Sequence, residues 1–147
     1  MVKCFALSLL AAFSIAAVAT PTDPYEGEKY GESRPYSSTV KSVDITRNGL
    51  WTDHVSSDET PEHCAGFILR LADVREYFRV SRRASLKEYG HDLDMSRCHA
   101  IGRIRFANGD RGEWEIDRAR RGSVRLSDGR MLYFYCEACQ AKAFYEP

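Results

Sequence analysis

The stretch AIGRIRFANGDRGEWEIDRARRGSVRLSDGRMLYFYCEAC, residues 100–139, decides the fold. Ala100, Gly102, Ile104 and Phe106 fall on one face of an extended chain, and Arg103 and Arg105 on the other. Trp114 and Ile116 alternate with Glu113, Glu115 and Asp117. Val124 and Leu126 alternate with Ser123, Arg125 and Ser127. Leu132, Phe134 and Cys136 alternate with Met131, Tyr133 and Tyr135. A period of two over consecutive segments is the pattern of a sheet with one face on a core. Asn108-Gly109, Gly122 and Asp128-Gly129 punctuate the run, so it reads as an antiparallel meander.

Register fixes the first turn. A two-residue loop at Asn108-Gly109 pairs Ile104 with Glu113 and mixes the two faces. A three-residue loop, Ala107-Asn108-Gly109 with Gly109 left-handed, pairs like with like. Ser127-Asp128-Gly129 has the same shape. This register sets Arg103 and Arg105 near Glu113 and Glu115 on a solvated face.

The whole chain has 147 residues, with 21 basic and 21 acidic side chains. It starts Met1-Val2-Lys3, continues with an apolar run from Cys4 to Val18, and reaches Ala17-Val18-Ala19. A basic start, a short apolar core and a small-x-small site are the parts of a secretory signal. We expect residues 1–19 to be removed, Cys4 with them, and the protein to be periplasmic or secreted. The apolar run is short for a membrane span, and no stop-transfer pattern follows, so no stable membrane anchor is expected. Thr20 to Ser38, rich in Pro, Gly, Ser, Tyr and Glu, is expected to be a flexible or extended arm. Residues 39–147 then form a single domain.

Within that domain, Val40–Thr46 reads as a strand. Asn48-Gly49 reads as a hairpin turn, with a return strand from Leu50. Cys64–Leu69 reads as a short buried strand. A helix capped by Asp73 carries Leu71, Val74 and Phe78 on one side and Tyr77 and Val80 beside them. Ser85-Leu-Lys-Glu88 resembles a capping box, where the helix can break and restart before Gly90. The expected fold is α+β: a mainly antiparallel sheet of five to six strands packed against one helix. In this reading 64–70 runs parallel to 98–106, which places Cys64, Cys98, Cys136 and Cys139 at one end of the sheet.

An even cysteine number in a small exported chain reads as a disulfide framework. Cys64–Cys98 is the preferred pair, with Cys136–Cys139 next. If the sheet curls, Cys136 or Cys139 reaches Cys64 or Cys98 instead. Four thiolates also suit zinc, with His63 and His99 as substitute ligands. A redox-active C-x-x-C at Cys136 and Cys139 needs a lowered thiol pKa, and Glu137 works against it. No catalytic constellation, cofactor loop or metal-ligand spacing stands out.

Arg118, Arg120 and Arg121 crowd one turn. With Arg79, Arg82 and Arg83 they form a candidate anion- or partner-binding patch. Residues 63–147 contain sixteen basic and twelve acidic side chains, which is not the strongly basic domain of a nucleic-acid binder.

Cys64-x-x-Phe67, Val74 and Phe78, Cys98 with Gly102, Gly109, Trp114-x-Ile116, Ser127-Asp-Gly129 and Tyr135-Cys136-x-x-Cys139 together resemble a group of small exported proteins of Gram-negative bacteria. The resemblance implies export and a shared cysteine pattern, and no activity. The expected function is that of a non-enzymatic, disulfide-stabilised periplasmic protein that binds another protein in the cell envelope, as an inhibitor or immunity protein. The alternatives are a thiol–disulfide redox protein and a zinc-binding module.

Overall fold

A computed structural model describes residues 38–145. The signal and arm readings, over residues 1–37, lie outside the described residues. In chain order the elements are β1 (Val40–Trp51), α1 (Pro61–Ala65), α2 (Leu71–Val80), β2 (Arg82–Ala84), a π-helical turn (Glu88–Asp92), β3 (Cys98–Phe106), β4 (Arg111–Asp117), β5 (Arg121–Leu126), β6 (Met131–Tyr135) and a 3-10 turn (Lys142–Phe144). The six strands form one antiparallel sheet in the order β1-β3-β4-β5-β6-β2. This is the expected α+β architecture.

The meander takes the register that the alternation requires. Gly102 faces Trp114, Trp114 faces Val124, and Val124 faces Leu132. Both expected three-residue loops form, with Gly109 at φ 94° and Gly129 at φ 91°. Each is braced by the residue before its glycine. The Asn108 side chain accepts from the Asp110 N–H (3.0 Å), and the Asp128 side chain accepts from the Arg130 N–H (3.0 Å). The β4–β5 connection repeats this loop length without a glycine: Arg120 occupies the left-handed position, at φ 69°.

Three local readings are corrected. Asn48-Gly49 is not a hairpin turn, because β1 runs straight through it to pair Trp51 with Cys98, with register shifts around the site. The polar groups that a turn would use are engaged elsewhere. The Asn48 amide brackets the Leu69 backbone (3.0 and 3.1 Å), and the Gly49 N–H donates to the Phe67 carbonyl (3.0 Å).

Residues 64–70 do not form a strand, so their parallel pairing with β3 does not exist; β1 takes that place in antiparallel sense. Thr60 accepts from the His63 N–H and Pro61 opens the turn, so the chain is helical into Cys64. Phe67 and Leu69 are buried in the irregular segment that follows. Finally, α2 starts at Leu71, with Asp73 reaching back to the Arg70 N–H (2.8 Å) and guanidinium. It ends at Val80, and β2 then adds to the edge at β6. The Ser85/Glu88 box does form, beyond β2, at 3.0 and 3.1 Å.

The core lies between α2 and one sheet face. Val74 and Tyr77 are buried, and Phe78 packs edge-on against Phe134 (5.5 Å) and Trp114 (6.3 Å). Phe144 closes the bottom beside Phe67 and Tyr77. A close approach explains Gly102: a Cβ there would lie 2.5 Å from the Trp114 ring and 2.0 Å from the Asp44 carbonyl. The Trp114 indole N–H donates to that carbonyl and to that of Arg103, both at 3.1 Å.

Candidate functional site

Cys98 opens β3 and Cys136 follows β6, so strand alternation brings both to one end of the sheet. Backbone bonds fix this: the Arg118 N–H donates to the Cys98 carbonyl (2.9 Å), and the Cys136 N–H to that of Arg120 (3.1 Å). Cys64 reaches the same end from α1. The structure joins Cys64 to Cys98, with Cα atoms 4.7 Å apart, and Cys136 to Cys139, at 5.5 Å. All four residues are buried.

The disulfides leave none of these sulfurs as a thiolate for zinc. His63 does not join them either: its Nδ1 accepts from the Thr60 N–H. No group of three metal-ligating side chains forms among the described residues. For the C-x-x-C pair, exposures of 0% and 2% shield both sulfurs from an attacking thiolate. Among the described residues only a 3-10 turn follows, so no helix N-terminus there lowers a thiol pKa.

The six arginines are spread over distinct settings. Arg79 is held by Glu76 (2.6 Å) on the exposed side of α2. Arg83 donates to the Tyr133 carbonyl and lies over the Phe134 ring. Arg118 bonds Glu59 and the His63 carbonyl. Arg121 is buried. Only Arg82 and Arg120 meet, around Tyr135 and Glu137: Arg82 binds the Glu137 carboxylate, and Arg120 its carbonyl.

Behind Arg121 lies a polar network whose connectivity was not legible in the chain. Asp117 accepts from the Arg121 guanidinium (2.9 Å), the Arg121 N–H (3.0 Å) and the Ser96 N–H (3.4 Å). The Ser96 hydroxyl turns to Glu59, at 2.7 Å. Tyr89 covers Arg121, with ring centroid and guanidinium carbon 4.5 Å apart.

Burial pushes the Asp117 carboxyl up to about 6, against the pull of Arg121. Burial also raises Glu59, but hydrogen bonds from Ser96, Arg97 and Ser57 and the Arg118 charge outweigh it and hold that carboxyl below its ordinary value. Two carboxylates driven apart in pKa is an acid–base pattern. Neither, however, lines any of the four surface depressions described. Their partners are the 52–60 loop, the start of β3 and the β4–β5 turn, which the network locks together. The sequence signal was slight: Asp117 and Arg121 flank a three-residue turn, where cross-strand pairing makes them neighbours.

Another surface feature is the uncovered part of the second sheet face. Ser42, Asp44, Arg103, Arg105, Arg111, Glu113, Glu115 and Arg125 are all exposed on it. Arg103 pairs with Asp44 and Arg125 with Glu113, each at 2.9 Å. These partners differ from the expected ones, because β1 supplies Asp44 and β5 supplies Arg125. Arg105 faces Arg111 across the β3–β4 ladder, and neither has a counter-ion among the described residues. Two shallow depressions, of about 810 and 760 Å3, lie along these strands.

Comparison with known proteins finds no counterpart: no family model matches the chain, and neither a curated protein nor a solved structure does.

Proposed function

We propose that this protein is an exported binding module that docks an acidic protein surface of the cell envelope on the open face of its sheet. One observation carries the reading: Arg105 stands directly opposite Arg111 with no acid to share. A like-charge cross-strand pair costs stability, roughly 0.2–1 kcal/mol. On the same face Arg47, Arg103, Arg105, Arg111 and Arg125 outnumber Asp44, Glu113 and Glu115. An acidic partner relieves that excess. Export is supported by the signal-like start and by the two disulfides. Inhibition of, or immunity to, an envelope-acting toxin or hydrolase is the concrete form such docking takes.

The test is affinity capture from envelope extract with the wild-type protein and with Arg105→Glu/Arg111→Glu, after matched thermal melts. The same acidic protein should return with wild type, and the double variant should lose it. Capture should also fail near 1 M salt, where the screening length is about 3 Å. A partner retained by the double variant, or none recovered, overturns the reading. Fractionation should find the protein outside the cytoplasm, shortened at Ala19; an intact cytoplasmic chain overturns export.

A further inference from the structure

A third depression, a cavity of about 520 Å3, opens on the opposite side of the sheet, between α2, the start of β1 and β6. Phe78, Phe106 and Phe134 supply its aromatic wall, with Val43 beneath. Its rim is cationic. Lys41 and Arg75 stand there without an ion pair among the described residues. Arg83 adds a third positive charge above the Phe134 ring (5.2 Å). Ser81 also borders the cavity, with its hydroxyl oxygen buried and without a hydrogen-bond partner among the described residues.

An apolar wall, a few polar groups and a volume of this size are the ingredients of a small-molecule site. We propose that this cavity binds an anionic amphiphile: an acyl chain against the three phenylalanines, its carboxylate at Lys41 and Arg75. The cations are placed at the mouth and the aromatics inside, so head and tail are both specified. The site meets the open-face depression only at the edge strand, where Ser42 and Val43 line both, and its occupancy does not depend on the docking proposed above.

Isothermal titration of the full chain with octanoate, decanoate and dodecanoate tests this, with decanol as the uncharged comparator. Burial of two methylenes strengthens binding on the order of tenfold, so affinity should climb by about that factor at each step of the series. Decanol should bind at least about tenfold more weakly than decanoate, the loss that a charge-assisted contact implies. Arg75→Glu and Lys41→Glu, both at exposed positions, should each weaken decanoate by a similar factor, with unchanged melting and unchanged decanol binding. Arg105→Glu should leave decanoate binding alone. No binding of any chain at millimolar concentration overturns the proposal. So does equal binding of decanol and decanoate, or an Arg105→Glu loss matching that of Arg75→Glu.

Discussion

Among the described residues, Arg120 is the non-glycine residue whose backbone takes the left-handed conformation that its side chain disfavours. Gly109 and Gly129 hold the equivalent position in the neighbouring hairpins, and a left-handed L-residue with a Cβ costs about 1–2 kcal/mol. What offsets this is local: the guanidinium bonds the Glu137 carbonyl (3.1 Å) and lies over Tyr135 and Tyr145. Arg120→Ala removes these contacts and keeps the strain, whereas Arg120→Gly removes both. Glycine should therefore be the more stable replacement by about 1 kcal/mol, the reverse of the usual ranking. Melting curves of the two variants decide it; alanine equal to or above glycine shows that the turn is unstrained.

Asp117 gives the other prediction at this scale. Its carboxyl holds a proton up to about pH 6 in the fold, but only to about 4 in an unfolded chain. Between those values the folded state binds the extra proton. The contribution of Asp117 is therefore full below pH 4 and is lost as pH rises through 6. Glu59, held low, slopes the opposite way, so total stability hides the effect. The carboxyl resonance of Asp117 should titrate near 6. The stability of wild type relative to Asp117→Asn should fall from pH 4 to 6. A midpoint below 4.5 refutes the assignment.

Among the elements, α1 and β3 are linked by the Cys64–Cys98 bond, which closes 34 residues of chain. Loop entropy gives it about 4 kcal/mol. Cys136–Cys139 spans three residues and contributes about half as much on the same account. Replacing Cys64 and Cys98 by alanine should lower the unfolding free energy in urea by about 3–4 kcal/mol, clearly more than replacing the other pair; equal losses would remove the loop argument. The meander was legible in the sequence because each strand buries one face and each glycine turn allows one register. The α1 region was not. Asn48-Gly49 has the local chemistry of a turn, and only the distant Phe67–Leu69 backbone, which occupies those polar groups, shows otherwise. Cys64–Leu69 carries apolar residues at strand spacing, but Thr60 and Pro61 start a helix turn ahead of them. The same holds for the sites. Cysteine positions follow from strand direction, whereas the aromatic cavity needs Lys41, Arg75 and Phe134 brought together from three elements, and no linear spacing encodes that.

For the whole molecule, the two sheet faces have different tasks. One is closed by α2, Phe67 and Phe144. The other is half covered by the Ser85–Arg97 segment, with Tyr89 packed on Tyr133 at 4.6 Å. The strand order has a further consequence, in time. Strands β3 to β6 pair with immediate neighbours, but β1, first to emerge from the ribosome, has its partner in β3, so that Val43 meets Ile104. Contacts so far apart in sequence form slowly. Until β3 is made, β1 has nothing to pair with and α2 has no sheet to cover. A nascent chain arranged in this order stays threadable through a narrow channel until most of it has been synthesised.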